Sequence, residues 1–422
     1  MNNDNPSAAK ELEAATSADA RARRVLFVDA DQTILDSLKK RLDSLHTEWR
    51  MAFTTTGQQA LDQLAATPFD VLVTRANVPG MGGSDLLTEV LQRFPDVVRI
   101  VLTDTVEQDV VHSATAHQYL LQSCNAASLK STLDRALQIR GMLASPGLRE
   151  LVSRIISLPS LPAVHTQLIA SLDNPELSSR ELGDIIAQDV AMTAKILQIA
   201  NSAFFGLYRY VASPAEAAVY LGVDTIRALA LSTGAFSALE TSGLAQSLIG
   251  QLQHHSTMTG IVANAIGKAE NLPKKSCDSA MVGGLLHDVG KLVLAANCPQ
   301  EYEVVLNTVK KDGVPCFEVE RQMFGATHAD IGAYLLYLWA LPDLVCKAVA
   351  FHHSPADYSS REFTAAAAIH AADALEHELT GVADFYGRVA IDMNYCTLLG
   401  LAGRVPEWRR LCKKQLDKEG EA

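Results

Sequence analysis

The hydrophobic rhythm of the chain changes once, near Ser145-Pro146-Gly147, and this change constrains the fold more than any other feature. Between Val25 and Arg140 short apolar runs alternate with amphipathic ones. VLFV precedes ILDSLKKRL, RMAFTT precedes GQQALDQLA, VLVT precedes SDLLTEVLQRF, RIVLT precedes DVVHSATA, and YLL precedes SLKSTLDRALQIR. Five such repeats predict an α/β doubly wound, five-stranded parallel sheet, because parallel strands need crossovers and helices supply them. The ligand site of such a sheet lies at the carboxyl ends of its strands. Beyond the Pro-Gly turn, apolar residues recur at three- and four-residue spacing, as in ELGDIIAQDVAMTAKILQIA and TMTGIVANAIGKA. Prolines cut this pattern into segments of ordinary helix length, so an all-α second domain is expected.

A chain of 422 residues exceeds one ordinary domain, and a hydrophobic content of 48% is enough for real cores. The expected organisation is a disordered tail (1–22), a sheet domain (23–140), a linker (141–150), a helical domain (151–380) and a C-terminal helical extension (381–422). The tail is rich in Ala, with Ser, Asp and Glu and almost no large apolar side chains, and lacks the apolar core of a signal peptide. No later stretch reads as an uninterrupted membrane-spanning run. With 36 Lys+Arg against 48 Asp+Glu, the net charge of -12 argues against duplex nucleic acid or an anionic membrane as the main partner. The seven cysteines form no C-x-x-C pair, which fits a reducing cytoplasm better than a disulfide framework.

Arg75 is the oddity of the first half, a charged residue where the strand VLVT opens onto the loop NVPGMGG. The ordered set VLFVDADQTIL, PGMGG, VLT and YLLQS resembles a response-regulator receiver domain. In that family an acidic pair after the first strand and an Asp before the loop proline hold Mg²⁺. The second of these Asp positions accepts the phosphoryl group, and a Thr or Ser and a Lys complete the site. The resemblance places these positions on Asp29 and Ala30, Arg75, Thr103 and Gln122. An aspartyl phosphate needs a carboxylate and Mg²⁺ needs hard oxygen ligands, so the expectation is a non-phosphorylatable, degenerate receiver without Mg²⁺. Arg75 either supplies an internal positive charge, paired with Asp29 or with an inward-turned Asp31, or points into solvent at a decayed site.

Eight of the twelve histidines fall in the stretch from His254 to His377. In GLLHDVGKLVL, a helix would set His287 and Lys291 one turn apart with Asp288 beside them. Together with His255, His328, His352, His353 and Asp373 they form a nitrogen-rich set suited to Fe, Mn, Zn or Ni. Their order resembles the HD phosphohydrolase superfamily, in which two metals activate water toward a phosphate ester. The resemblance makes those seven His and Asp residues the ligands of one or two transition metals. Lys291 would bind phosphate or protonate the leaving oxygen. His254, His370 and His377 match no family position and read as surface or outer histidines.

LPSLPAVHTQLIASLDNPELSSRELGDIIAQDVAMTAKILQIANSAFFG, followed by SPAEAAVYLG, resembles the HDOD family of HD-related output domains. That resemblance implies a bacterial signalling module acting by regulated binding of proteins, such as sensor kinases or nucleotide-signalling enzymes, or of a nucleotide ligand, without turnover. A homodimer is compatible with it. The alternative is a metal-dependent hydrolase of a nucleotide or cyclic dinucleotide. His353 is followed by SPADYSSREF, not by the Gly-Tyr-Pro of the cyclic-di-GMP phosphodiesterase branch. Phe204 and Phe205, with Arg209 nearby, read either as helix-core anchors or as a partner-binding patch.

Overall fold

The computed structural model describes residues 23–43, 49–75, 77–78, 81–103, 118–121, 126–142, 145–154, 167–168, 171, 174, 176–187, 192–193, 196–197, 200, 211, 213–238, 243–338, 341–358, 362–381, 387 and 389–420. Gln122, Phe204, Phe205, Arg209 and the tail 1–22 lie outside the described residues. The chain divides into two compact units at Ala144 and Ser145.

The first unit is the expected α/β sheet. Strands β1 (Arg23–Val28), β2 (Trp49–Thr54), β3 (Val71–Arg75), β4 (Val98–Thr103) and β5 (Gln118–Leu121) are all parallel, in the order β2-β1-β3-β4-β5. Val25 to Val28 and Val71 to Val73 are buried without alternation, as central strands covered on both faces must be. The helices are α1 (Gln32–Asp43), α2 (Gly57–Ala66), α3 (Gly83–Arg93) and α4 (Ala126–Met142). In α1 the spacing of Leu35, Leu38 and Leu42 puts one apolar stripe against the sheet. The strand order reverses between β1 and β3, so the crevice that could hold a ligand opens where Asp29 and Arg75 stand.

The second unit is all-helical among the described residues. The elements that build its centre are α5 (Pro146–Arg154), α6 (Gly243–Ala269), α7 (Lys274–Leu286), α8 (Val289–Asn297), α9 (Cys316–Phe324), α10 (His328–Leu338), α11 (Asp343–Ala350), α12 (Ala365–Thr380) and α13 (Val405–Gly420). Along α12, Ala365 to His377 are all buried, because a helix rich in alanine admits neighbours on every side. Met258 and Val262 of α6, Ile369 and Leu375 of α12 and Trp408 of α13 share one apolar cluster.

Three features depart from the sequence reading. The expected linker 141–150 is helical on both sides of the unit boundary, since α4 runs to Met142 and α5 starts at Pro146. Leu148 and Leu151 bury that helix, and Gly147 lies so close to the Gly325 backbone that a side chain would not fit. In the expected extension, Cys396, Val405, Trp408 and Cys412 join the same core as α6 and α12. Finally, Lys274–Asn297 is long and apolar enough to cross a membrane by composition, yet 94% of its apolar window is buried inside the unit. It is interrupted at Asp288, whose φ of -98 and ψ of 5 separate α7 from α8.

Candidate metal centre

Two close backbone approaches assemble the centre of the second unit. A Cβ on Gly284 would stand 2.6 Å from Gly260 Cα, so only glycines let α6 and α7 cross this tightly. That crossing brings His255 of α6 to His287 at the end of α7, with their Nε2 atoms 3.1 Å apart. A Cβ on Gly290 would meet the His328 carbonyl oxygen at 2.0 Å. This second approach seats the start of α8, with Asp288 and Lys291, against the start of α10.

All seven expected ligands converge there. His328 Nε2 lies 3.2 Å from Asp288 Oδ1 and 2.9 Å from His353 Nε2. Asp373 Oδ1 lies 3.2 Å from His255 Nε2 and 3.8 Å from His287 Nε2, and its Oδ2 is 3.9 Å from His353 Nδ1. Lys291 Nζ donates to Asp288 Oδ2 at 2.7 Å. His287, His328 and His352 are 0% exposed, Asp288 1% and Asp373 2%, so water reaches almost none of this polar surface. The expectation of one helix carrying His287, Asp288 and Lys291 is corrected: the chain turns at His287-Asp288, and that turn aims both side chains inward.

The histidines are held in one tautomer by their outer nitrogens. His255 Nδ1 donates to Glu376 Oε2 at 2.8 Å, His287 Nδ1 to the Gly284 carbonyl at 2.8 Å, His328 Nδ1 to Glu320 Oε2 at 2.6 Å and His352 Nδ1 to the Val349 carbonyl at 2.6 Å. Each of these acceptors demands an N–H, leaving Nε2 as the atom that faces the cluster. Oriented imidazoles of this kind are the usual outer arrangement of a metal site. His352 Nε2, His353 Nδ1 and Asp373 Oδ2 are buried without a hydrogen-bond partner. Unsatisfied buried polar atoms are costly, and a donor set of this kind could hold a cation.

Electrostatics support the same conclusion. Asp288, Glu320, Asp373 and Glu376 place four carboxylates at this centre, and among the described residues Lys291 is the one buried ammonium. Burial pushes Asp288 and Asp373 up, but neighbouring imidazoles, with Lys291 also acting on Asp288, outweigh it and hold both well below the ordinary carboxylate value. Burial pulls His255 down, yet Asp373 and Glu376 carry it up to about 10. For His328, burial is likewise overcome, chiefly by Glu320, and the value rises to about 9. Burial drives His352 and His353 well below the ordinary imidazole value, which leaves them neutral, the state a metal needs.

Glu320, Glu376 and His377 belong to this centre and were not foreseen. Glu320 is 0% exposed and accepts from the His328 backbone N–H at 2.7 Å and from Tyr302 at 3.1 Å, besides the imidazole. His254 is exposed, as expected. His370 is buried but bound elsewhere, donating to the His352 carbonyl and accepting from the Asp392 N–H, both at 2.8 Å.

The crevice of the first unit is simpler. Arg75 Nε lies 4.0 Å from Asp29 Oδ2, with Asp29 buried and the Arg75 side chain 29% exposed. Asp31 instead turns outward to accept from the Thr33 backbone and hydroxyl at 2.8 and 2.6 Å, starting α1. Ala30 is exposed and offers no ligand atom, and Thr103 ends β4.

Comparison with known proteins assigns both units. The response regulator receiver domain family matches residues 25–134, and the HDOD domain family matches 158–355. The first unit is similar to the chemotaxis protein CheY-3 of Vibrio cholerae, 30% identical over 128 residues, covering 27% of this chain and 92% of that protein. An uncharacterized protein of Treponema pallidum is 28% identical over 204 residues, 48% of this chain, and the chain spans only 39% of its length. The crystal structure of an HDOD domain protein of unknown function from Geobacter sulfurreducens superposes with a TM-score of 0.54 at 23% identity, covering 67% of this chain and 96% of that one. Asp373, Glu376 and His377 lie beyond the matched HDOD segment. The chain therefore belongs to the response-regulator family through a receiver domain in its first unit and carries an HDOD domain in its second.

Proposed function

We propose that this is a cytoplasmic signal-transduction protein whose HDOD domain holds one or two transition metals and acts by regulated binding, not by turnover. The observation that carries this reading is the closure of the centre. Its donors are turned inward, oriented from outside and withdrawn from solvent, with Lys291 only 5% exposed and already engaged by Asp288. Catalytic metal sites keep an open coordination position, and structural ones are filled by protein. His255, His287, Asp288, His328, His352, His353 and Asp373 would hold the metal, which would supply positive charge to the buried carboxylates. Partners in this reading are other signalling proteins, sensor kinases or nucleotide-signalling enzymes, and the receiver sets the response without phosphorylation because Arg75 stands at the acceptor position.

The hydrolase reading rests on Lys291 beside the ligand set, where an ammonium could protonate a leaving oxygen. Metal content of the purified natural chain, measured together with turnover of phosphomonoesters, phosphodiesters and cyclic dinucleotides, separates the two. Bound metal without turnover is expected. Turnover abolished by Lys291→Ala would establish the hydrolase, and a chain that takes up no metal would end both readings.

A further inference from the structure

Asp373 and His377 stand one turn apart on α12, a spacing that puts both side chains on the same helix face. His377 Nε2 lies 3.5 Å from Asp373 Oδ1, and its ring centre is 4.7 Å from that of His255. One donor atom from each of His255, Asp373 and His377 falls within 4.8 Å of the others, and all three residues are buried. The same closeness holds for His328, His352 and His353, a group that shares no residue with the first. His287 and Asp288 lie between the two groups, with Asp288 Oδ2 3.5 Å from His287 Nε2 and Asp288 Oδ1 3.2 Å from His328 Nε2.

We propose that His377 is a metal ligand of this centre, completing with His255 and Asp373 one of two metal positions, while His328, His352 and His353 form the other. The inference rests on the metal-binding reading above and goes beyond it, because it adds a ligand that neither the order of the histidine motifs nor the matched HDOD segment assigns. A paired carboxylate and imidazole one turn apart on a buried helix is a rigid chelate, preorganised before any ion arrives. Two imidazoles and a carboxylate select a borderline divalent ion such as Zn²⁺ over Mg²⁺ or Ca²⁺. With His287 or Asp288 as a fourth donor, protein atoms fill a tetrahedral shell and leave no place for a reactive water. His377 would then be the residue that closes the position a hydrolase keeps open.

The test uses the full chain, natural and with His377→Ala or His377→Gln, loaded with Zn²⁺ or Co²⁺. The natural chain is expected to hold two ions. Each variant should lose one of them, or release it to a chelator at least tenfold faster, and the visible Co²⁺ spectrum should change. Two ions held with the same spectrum and the same release rate would overturn the proposal while leaving the metal-binding reading intact. A natural chain that binds no metal would overturn both. Should both variants fail to fold, anomalous diffraction from the Zn²⁺-loaded natural chain decides the matter. A His377 nitrogen about 2.0–2.1 Å from an ion supports the assignment, and one beyond about 3 Å refutes it.

Discussion

Glu320 offers the sharpest energetic test of the centre. It is 0% exposed and gathers the His328 backbone N–H at 2.7 Å, the His328 imidazole at 2.6 Å and the Tyr302 hydroxyl at 3.1 Å. Glu320→Ala removes the acceptor of all three and leaves the His328 charge with Asp288 but without the carboxylate at its Nδ1. Breaking a buried ion pair from one side costs about 3–5 kcal/mol, a large share of the roughly 5–15 kcal/mol that holds a domain together. Glu320→Gln keeps the volume and one acceptor oxygen, so a loss of about 1–2 kcal/mol is expected, with metal affinity down about 10–100-fold as the hold on His328 slackens. Burial pushes the Glu320 carboxyl up, but His328 and Lys291 outweigh it and hold it below its ordinary 4.5. Its stabilisation is therefore present above that pH and lost as pH falls through the lower, folded value. Urea unfolding of the metal-free chain, with each unit followed separately, measures the change. A Glu320→Ala shift below about 1 kcal/mol in the second unit, or equal effects of Ala and Gln, would refute the reasoning.

Other predictions concern both units. Acetyl phosphate with Mg²⁺ should leave no base-labile phosphoryl group on residues 24–140, and mass spectrometry detecting one would contradict the assignment of Arg75 to the acceptor position. Arg75→Ala should cost the first unit no more than about 1 kcal/mol, because the pair is 4.0 Å apart and Arg75 is 29% exposed; an unchanged unfolding midpoint would remove the counter-ion role. In the metal-free chain His255 and His328, at about 10 and about 9, carry protons at neutral pH, so metal uptake should release them and affinity should rise with pH. Calorimetry that gives the same heat in buffers of different ionisation enthalpy would exclude this. The same two raised values give the metal-free fold a stabilisation that is full below their ordinary 6.5 and lost as pH rises through 9 to 10. Gly284→Ala should destabilise the second unit by about 1–3 kcal/mol, since its Cβ would stand 2.6 Å from Gly260 Cα; wild-type stability would show that α6 and α7 do not cross this closely.

Periodicity carried the fold because burial leaves a rhythm in sequence. Continuous apolar strands such as Val25 to Val28 and the three-residue spacing of Leu35 and Leu38 need no tertiary knowledge to read. The histidines and aspartates that converge were legible through their order along the chain. Glu320, Glu376 and His377 were not, because an orienting carboxylate or added imidazole is defined by the helix packed against it. One local signal did exist for His377, its place one turn after Asp373 on a helix. The break at Asp288 was also hidden, since nothing in LLHDVGK forbids a continuous helix; it stands beside the close approach of Gly290 to His328, a tertiary contact that the local sequence does not carry. The helical boundary near Pro146 follows from proline at a first helical position, where it favours a start as readily as a turn.

The closure of the centre also bears on how a signal could leave it. Its donors come from the middle of α6, the turn between α7 and α8, the start of α10, the turn after α11 and the buried face of α12. An ion bound by these groups ties together elements distant in sequence, and binding to the folded state alone adds its free energy to the stability of the unit. Without it, protons on His255 and His328, together with the Lys291 ammonium, offset part of the negative charge of the buried carboxylates. The two conditions place different atoms at the crossing of α6, α7 and α12. If the centre holds an ion, a surface built on the outer faces of those helices would be biased by its occupancy. Differential affinity for the two states is the thermodynamic requirement for such a switch. A partner that binds metal-loaded and metal-free protein equally would show that the centre serves stability alone.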